Sequence, residues 1–307
     1  MTFIRDLDEL PDSFQAGALT IGNFDGVHLG HAALVKELVG AAQAADGPAV
    51  VFTFDPHPVT VLKPELAPVP LVWMERKIEL LQQLGVDLVV AYPTDKEFLG
   101  LSPKAFFDKV VCGQLNARTM IEGANFCFGH DRQGTIETLR EHCELAQIGL
   151  RVVESISLAD EVVSSSRIRK LVRAGELGLV GQLLGRPYRV RGIVGRGMAR
   201  GATIGFPTAN LTQIENLPPA LGVYAGCMHW EGRDWPAAIH VGSNPTFEEH
   251  EVKFEVHLIG FSGDLYGQTL EVDIIERIRG VQAFDSQESL QEQLRHDVQQ
   301  VAQFQAK

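Results

Sequence analysis

The sequence predicts an α/β protein in two parts: a doubly wound parallel sheet, followed by an antiparallel β-barrel with a terminal helix. Three observations predict it. Up to about Leu184, apolar runs of strand length alternate with amphipathic runs of helix length, the pattern of a parallel sheet with helices on its faces. From Tyr188 to about Asp273 the chain changes to short runs rich in Val, Ile, Tyr and Phe between Gly, Pro and Asn clusters, which suits a closed barrel. Ser286 to about Phe304 is amphipathic again and reads as a helix packed on that barrel, capped by Asp285 or Ser286. The division is expected between residues 1–185 and 186–307.

In the first part, Ala18–Ile21 reads as a buried strand, running through GNFDGVHLGH (Gly22–His31) into a helix over Ala32–Ala45. Ala49–Phe54 is a second strand, Asp87–Ala91 a third, Thr119–Glu122 the end of a fourth and Leu150–Glu154 another. Helical patterns occupy Met74–Leu84, Pro103–Val111 and Thr135–Gln147, and VVSSSRIRKLVRAGEL (Val162–Leu177) opens a further one. LLGRPYR ends the last helix of this part, because Gly185 can cap it and Pro187 forbids its extension.

Composition narrows the function. A chain of 307 residues with 45% apolar and 21% charged residues can bury two medium cores. Its net charge of −12 argues against non-specific binding to nucleic acid or anionic membrane, yet local basic groups can still hold small phosphorylated ligands. The start, MTFIRDLDEL, has no apolar core of signal-peptide length, and no later run has the ~18 apolar residues of a membrane helix, so the cytoplasm is the expected compartment. Cys112, Cys127, Cys143 and Cys227 form no CxxC pair; four reduced, mostly buried thiols are expected.

Four stretches of the first part carry chemistry. Gly22, Gly26 and Gly30 let the backbone turn tightly near a ligand, and the helix start behind them offers N–H groups and partial positive charge to an anion. His28 and His31, three apart, can share one side of the first turn and donate to phosphate oxygens whose charge grows during phosphoryl or nucleotidyl transfer. Asp55, Pro56, His57 and Pro58 form a turn where open α/β sheets bind ligands, or a rigid Pro turn with an incidental histidine. GANFCFGHDRQGT (Gly123–Thr135) can pack a planar ring against Phe126 and Phe128 while Asn125 hydrogen-bonds it, or act as a lid over the sheet edge. Ser164, Ser165 and Ser166, followed by Arg167, Arg169, Lys170 and Arg173, suit a pyrophosphate, or a serine cap with a solvated basic face.

In the second part, GRGMARGATIGFPTANL brings Gly195, Gly197, Gly201 and Gly205 where N–H groups can meet phosphates, with Arg196 and Arg200 near. Thr208 and Asn210 supply two neutral oxygens of the kind Mg²⁺ accepts beside ATP. Lys253–Gly260 alternates as a strand, with Phe254, Val256 and Leu258 on one face and Glu255 and His257 on the other. A barrel-facing carboxylate there can take a hydroxyl proton during attack on a γ-phosphorus.

HLGH resembles the HxGH signature of the nucleotidylyltransferase superfamily, to which class I aminoacyl-tRNA synthetases carry a close relative; SSSRIR does not resemble the KMSKS loop of the latter. Taken in order, GNFDGVHLGH, TFDPHP, GANFCFG and SSSRIR resemble the adenylyltransferase module of bacterial bifunctional riboflavin kinase/FAD synthetases. GFPTAN, GVYAG (Gly222–Gly226), GSNPTF (Gly242–Phe247) and GDLYG (Gly263–Gly267) resemble the kinase module, so the resemblance spans nearly the whole chain. It implies a Rossmann-like FMN adenylyltransferase domain over residues 1–185 and a riboflavin kinase barrel over 186–307, using ATP, Mg²⁺, riboflavin and FMN. It further implies that His28, His31 and Arg169 assist adenylyl transfer, with Gly22, Asn23, Phe24, Gly26, Gly30, Ser164, Ser165 and Ser166 on ATP. Asp55, Pro56, His57, Pro58, Asn125, Phe126 and Phe128 fall to that site's flavin nucleotide. In the kinase, Glu255 is implied as base, Gly195, Gly197, Gly201, Thr208 and Asn210 as ATP ligands, Thr208 and Asn210 as metal ligands, and Phe206, Pro207, Arg279 and Phe284 as flavin contacts. Ser166, His240 and Gln282 depart from the family's pattern, the last two bearing on flavin affinity at the kinase site. Two other readings stay open: an enzyme with only the adenylyltransferase half active, and a non-catalytic flavin-binding or flavin-sensing protein.

Overall fold

The apolar runs of the first part become the strands of one parallel sheet in a computed structural model that describes residues 2–196, 201, 204–243 and 252–304. The strands are β1 (Thr2–Ile4), β2 (Ala18–Ile21), β3 (Ala49–Asp55), β4 (Leu88–Pro93), β5 (Thr119–Gly123) and β6 (Gly149–Val153), in the order β1-β4-β3-β2-β5-β6. The helices between them are α1 (Leu29–Ala44), α2 (Pro58–Leu62), α3 (Met74–Gln83), α4 (Lys96–Leu99), α5 (Pro103–Phe106) and α6 (Ile136–Ala146). Central β2 is buried along its whole length, as a strand covered on both faces must be. A short hairpin follows, β7 (Ser157–Leu158) and β8 (Glu161–Val162), then α7 (Ser165–Ala174) and α8 (Leu177–Leu184), the latter ended by Gly185 in the left-handed conformation.

Six antiparallel strands make the barrel: β9 (Tyr188–Gly195), β10 (Ala209–Thr212), β11 (Gly222–Trp230), β12 (Arg233–Gly242), β13 (Lys253–Leu258) and β14 (Thr269–Arg279). They close in the order β10-β13-β12-β11-β14-β9. The terminal helix α9 (Gln287–Phe304) packs on β11, β12 and β14, and the Ser286 hydroxyl accepts the Ser289 N–H at its start. Arg279 on β14 fixes it: Nε and Nη2 donate to the buried Asp297 carboxylate at 2.8–3.1 Å, and Gln293 donates to the same group.

Backbone contacts divide the chain into two compact units, residues 1–69 with 74–164 and residues 70–73 with 165–307. Helices α7 and α8 thus belong with the barrel, α8 lying on β9 and β14. Segment 70–73 is held there by Asn216, whose buried amide donates to the Leu71 carbonyl at 3.2 Å, the Tyr188 hydroxyl at 3.1 Å and the Arg189 carbonyl at 2.8 Å.

Several expectations are corrected. Helix α1 begins three residues earlier than Ala32, for a reason given below. The pattern from Pro103 to Val111 is an α-turn that widens into π-helix over Phe107–Gln114. The barrel strands continue past Asp273 to Arg279. All four cysteines are free as expected, but only Cys143 is buried. Edge strand β1 has too little pattern to be read in advance.

Strands β2 and β5 align at a single residue pair, Leu19 with Met120, whereas β3 and β4 stay aligned over six. Beyond that pair the Ile21 N–H finds the Glu122 carboxylate at 2.8 Å instead of a strand carbonyl. Glu122 is wholly buried, and burial pushes its carboxyl well above the ordinary 4.5 despite the opposing pull of that N–H. A raised carboxyl pKa contributes stability that is complete below about 4.5 and is lost as pH climbs through the raised value. Glu122→Gln keeps the shape and the acceptor without the titration. Thermal unfolding from pH 4 to pH 8 should show the variant's melting temperature rising relative to wild type as pH increases; a constant offset would show that folding does not raise the Glu122 pKa.

Candidate active sites

The first site is built on the carboxyl ends of the parallel strands. From β2 the chain runs outward through β3 and β4, then returns to β5 and β6 on the other side, so the strand order reverses between β2 and β5. A crevice opens at such a point, and Gly22–His31 fills its floor. The turn is tightly wound: Phe24 (φ 47°), Gly26 (φ 83°) and Val27 (φ 40°) are all left-handed. Aromatic and β-branched residues rarely adopt this conformation, so the surroundings must hold it.

His28 caps α1. Its Nδ1 accepts the His31 N–H at 3.3 Å, a role that places its proton on Nε2. The two imidazoles stack at 3.7 Å with planes 14° apart, and Phe24 tilts against His31 at 5.0 Å. Both rings therefore stand on one side of the helix start, as the spacing predicts. The earlier start of α1 follows, since histidine is not among the usual capping residues.

Other predicted residues take the following places. Asp55 ends β3, pairs with Arg5 at 2.7 Å and precedes a cis peptide to Pro56. His57 Nδ1 accepts the Val59 N–H, capping α2, with Pro58 as its first residue. Asn125 is exposed after β5, and Phe126 stacks on Phe128 at 5.5 Å. Phe128 itself is buried in the core beneath Gly134, so ring surface in this loop falls to Phe126. Ser164 closes the first compact unit, while Ser165 and Ser166 open α7 in the second, with Arg169 one turn on and buried.

Two residues of this region escape sequence reading. Lys77 on α3 and Thr53 on β3 both donate to the Asn23 carbonyl, at 2.9 and 3.2 Å. Lys77 stands with Met74, Ile78 and Leu81 on the apolar stripe of its helix, and a charge on such a stripe is the signal that could have revealed it.

In the second unit, register sets the site. Asn210 on β10 lies opposite Gly195 on one side and Glu255 on the other, and His240 on β12 lies opposite Glu255. His240 Nδ1 stands 3.3 Å from Glu255 Oε2, both side chains about one-fifth exposed. The expected barrel-facing carboxylate is corrected here: Phe254, Val256 and Leu258 fill the barrel, so alternation turns Glu255 to its outer face. Asn210 shares that outer side on β10, and Thr208 immediately precedes the strand. Gly201 accepts the Phe206 N–H at 2.8 Å, Phe206 meets the His257 ring edge-on, and His257 Nδ1 lies 2.8 Å from the Pro207 carbonyl. Pro207 and Thr208 line a cavity of about 330 Å³ with Val256, Phe261, Asp264 and Tyr266, the last two from GDLYG. Arg279 is committed to Asp297, with Phe284 5.8 Å from its guanidinium; Gln282 is exposed. Gly197 and most of GSNPTF lie outside the described residues.

A histidine-capped turn at a sheet's switch point and a separate barrel with a polar row beside a cavity define a transferase with two nucleotide-handling modules. Comparison with known proteins agrees. The family model for FAD synthetase matches residues 11–167, and that for riboflavin kinase matches residues 184–305. A bifunctional riboflavin kinase/FMN adenylyltransferase of Bacillus subtilis is 34% identical over 93% of this chain and 92% of its own, and one of Escherichia coli K12 is 32% identical over 97% and 96%. The chain belongs to the bifunctional riboflavin kinase/FMN adenylyltransferase family. A solved chain of Streptococcus pneumoniae, described as a macrolide-efflux protein, superposes with a TM-score of 0.85 at 31% identity, covering 97% of both chains. Here no helix among the described residues is long and apolar enough to cross a membrane.

A Cβ on Gly30 would stand 3.2 Å from both Cε1 and Nδ1 of His28. Gly30→Ala should therefore push the capping ring out of its stack. FAD formation is expected to fall about tenfold while FMN formation by the same chain stays within about twofold, since small misplacements in a reacting site are costly. Equal losses in both would show that Gly30 serves folding alone.

Proposed function

We propose that the chain phosphorylates riboflavin to FMN in residues 186–307 and adenylylates FMN to FAD, releasing pyrophosphate, in residues 1–185, in the cytoplasm. The observation that carries the reading is the stacked, capping His28–His31 pair at the switch point, in a chain whose barrel sets Asn210, Glu255 and His240 in one row.

In adenylyl transfer an FMN phosphate oxygen attacks the ATP α-phosphorus as the bond to pyrophosphate breaks. The nucleophile is already an anion and needs no strong base, so positioning and charge stabilisation dominate. His28 donates through Nε2, and His31, Ser164, Ser165, Ser166 and Arg169 hold phosphate oxygens, with Gly22, Asn23, Phe24, Gly26 and Gly30 shaping the floor. Asp55, Pro56, His57, Pro58, Asn125, Phe126 and Phe128 frame the flavin side, Phe128 from beneath.

In the kinase the riboflavin 5′ oxygen attacks the ATP γ-phosphorus, its proton passes to Glu255, and ADP leaves. Against Glu255, His240 orients the accepting carboxylate. Gly195, Gly197 and Gly201 serve the phosphates, and Phe206, Pro207 and Phe284 the flavin, while Arg279 is held by Asp297. Among the described residues no cluster of three His, Cys, Asp or Glu could hold a metal. Thr208 and Asn210 offer neutral oxygens only, a donor set that fits Mg²⁺, which takes one or two protein ligands and completes its shell with phosphates and water. Mg²⁺ bound there would neutralise charge on the ATP phosphates.

Riboflavin, ATP and Mg²⁺ incubated with the chain should give FMN and then FAD on chromatography. His31→Ala should still make FMN while FAD formation drops by a factor on the order of 10². Glu255→Gln should adenylate supplied FMN normally while kinase turnover drops by about 10²–10⁴. Unchanged riboflavin together with unchanged added FMN would favour the flavin-binding alternative.

A further inference from the structure

One buried charge of the first unit has no part in the chemistry above. Lys77 is 7% exposed, on a helix whose Ile78, Leu80 and Leu81 face the core. Burial lowers its pKa, and the carboxylates of Asp25 and Asp55 oppose that shift. Burying an amine without a partner is costly, so the bond it makes is informative. Nζ donates at 2.9 Å to the Asn23 carbonyl, and the Thr53 hydroxyl donates at 3.2 Å to the same oxygen.

That carbonyl opens the turn carrying Phe24, Gly26 and Val27 in left-handed conformations. The Asn23–Phe24 peptide is planar and trans, so its carbonyl and the following N–H point in opposite directions. Two donors that draw the carbonyl toward β3 and α3 turn the Phe24 N–H the other way. Among the described residues no acceptor takes that N–H. The nearby Asn23 Oδ1 is also buried with no donor among them.

We propose that Lys77 is a positioning residue for adenylyl transfer: with Thr53 it grips the Asn23 carbonyl, fixes the strained turn and aims the Phe24 N–H at a phosphate of the bound nucleoside triphosphate. The lysine touches no substrate; it acts through the peptide it holds. Thr53 supplies the weaker, uncharged half of the grip. This rests on the adenylyltransferase reading, and the test keeps the two apart.

Full-length Lys77→Met and Thr53→Val would be compared with wild type for kcat and KM of FAD formation from FMN and ATP. FMN formation from riboflavin and the melting temperature would be measured on the same preparations. Lys77→Met should lower adenylylation kcat by about 30-fold with KM for FMN changed less than about threefold, and leave the kinase within about twofold. Thr53→Val should lower the same kcat by about three- to tenfold. A kcat for Lys77→Met near wild type, even with a reduced melting temperature, would overturn the proposal by making Lys77 structural only. So would equal loss of both activities in folded protein. If Lys77→Met does not fold, Thr53→Val decides, and an unchanged kcat there overturns the grip. A wild-type chain that forms no FAD would instead remove the adenylyltransferase reading on which the proposal stands.

Discussion

Where β2 and β5 part, a backbone N–H that would ordinarily join a ladder is satisfied by the Glu122 carboxyl. The first site depends on this substitution. A parallel sheet paired to its ends leaves little room above the strands, whereas one pair followed by a side-chain acceptor lets β2 and β5 diverge without an orphaned N–H. The turn can then drop into the gap and start α1 with its N–H groups facing the crevice. The cost is a wholly buried carboxyl, whose pKa burial pushes well above the ordinary value. The left-handed Phe24 and Val27 are likewise conformations that an isolated peptide would not keep.

The barrel solves its positioning problem differently, by register. Closure leaves each strand paired on both sides, so once Leu211, Phe254 and Val256 point inward, Asn210, Glu255 and His240 must share the outer row. A one-residue slip would bury all three polar groups, which makes the row as strongly specified as the core. Bulges between Val223 and Tyr224 and between Ala225 and Gly226 let β11 follow β14 around the curve. Gly226, within GVYAG, has no room for a Cβ against the Asp273 carbonyl, so the motif's last glycine is explained by packing.

Both architectures, the strand runs and the glycine-bearing loops were legible in the sequence, because period and punctuation are local signals. Ala18–Ile21 is a strand with those bounds, and Gly185 ends α8 as its position implies. The histidine cap was not legible, since its propensity is weak and only the folded turn supplies the geometry. The largest omissions share one form. Lys77, Glu122 and Asp297 are ionisable groups at buried positions, and their value lies in partners far along the chain: Asn23, Ile21 and Arg279. Periodicity marks such residues as interruptions of an apolar stripe; only the tertiary structure says what they hold.

An acidic chain that handles polyanions needs local rather than global attraction. Several arginines of the second unit are committed to carboxylates: Arg189 to Asp273 and Glu271, Arg191 to Glu215, and Arg279 to Asp297. They tie strands and the terminal helix together and add nothing to a basic surface. Under the proposed reading, phosphate recognition falls to local donors such as the backbone N–H groups at the start of α1. Donors fixed in a concave site act over hydrogen-bond distances, where dissolved salt screens less than it does across an open charged face. The negative surface and the phosphate sites are therefore compatible: the first sets the long-range field, the second works only after a ligand has entered.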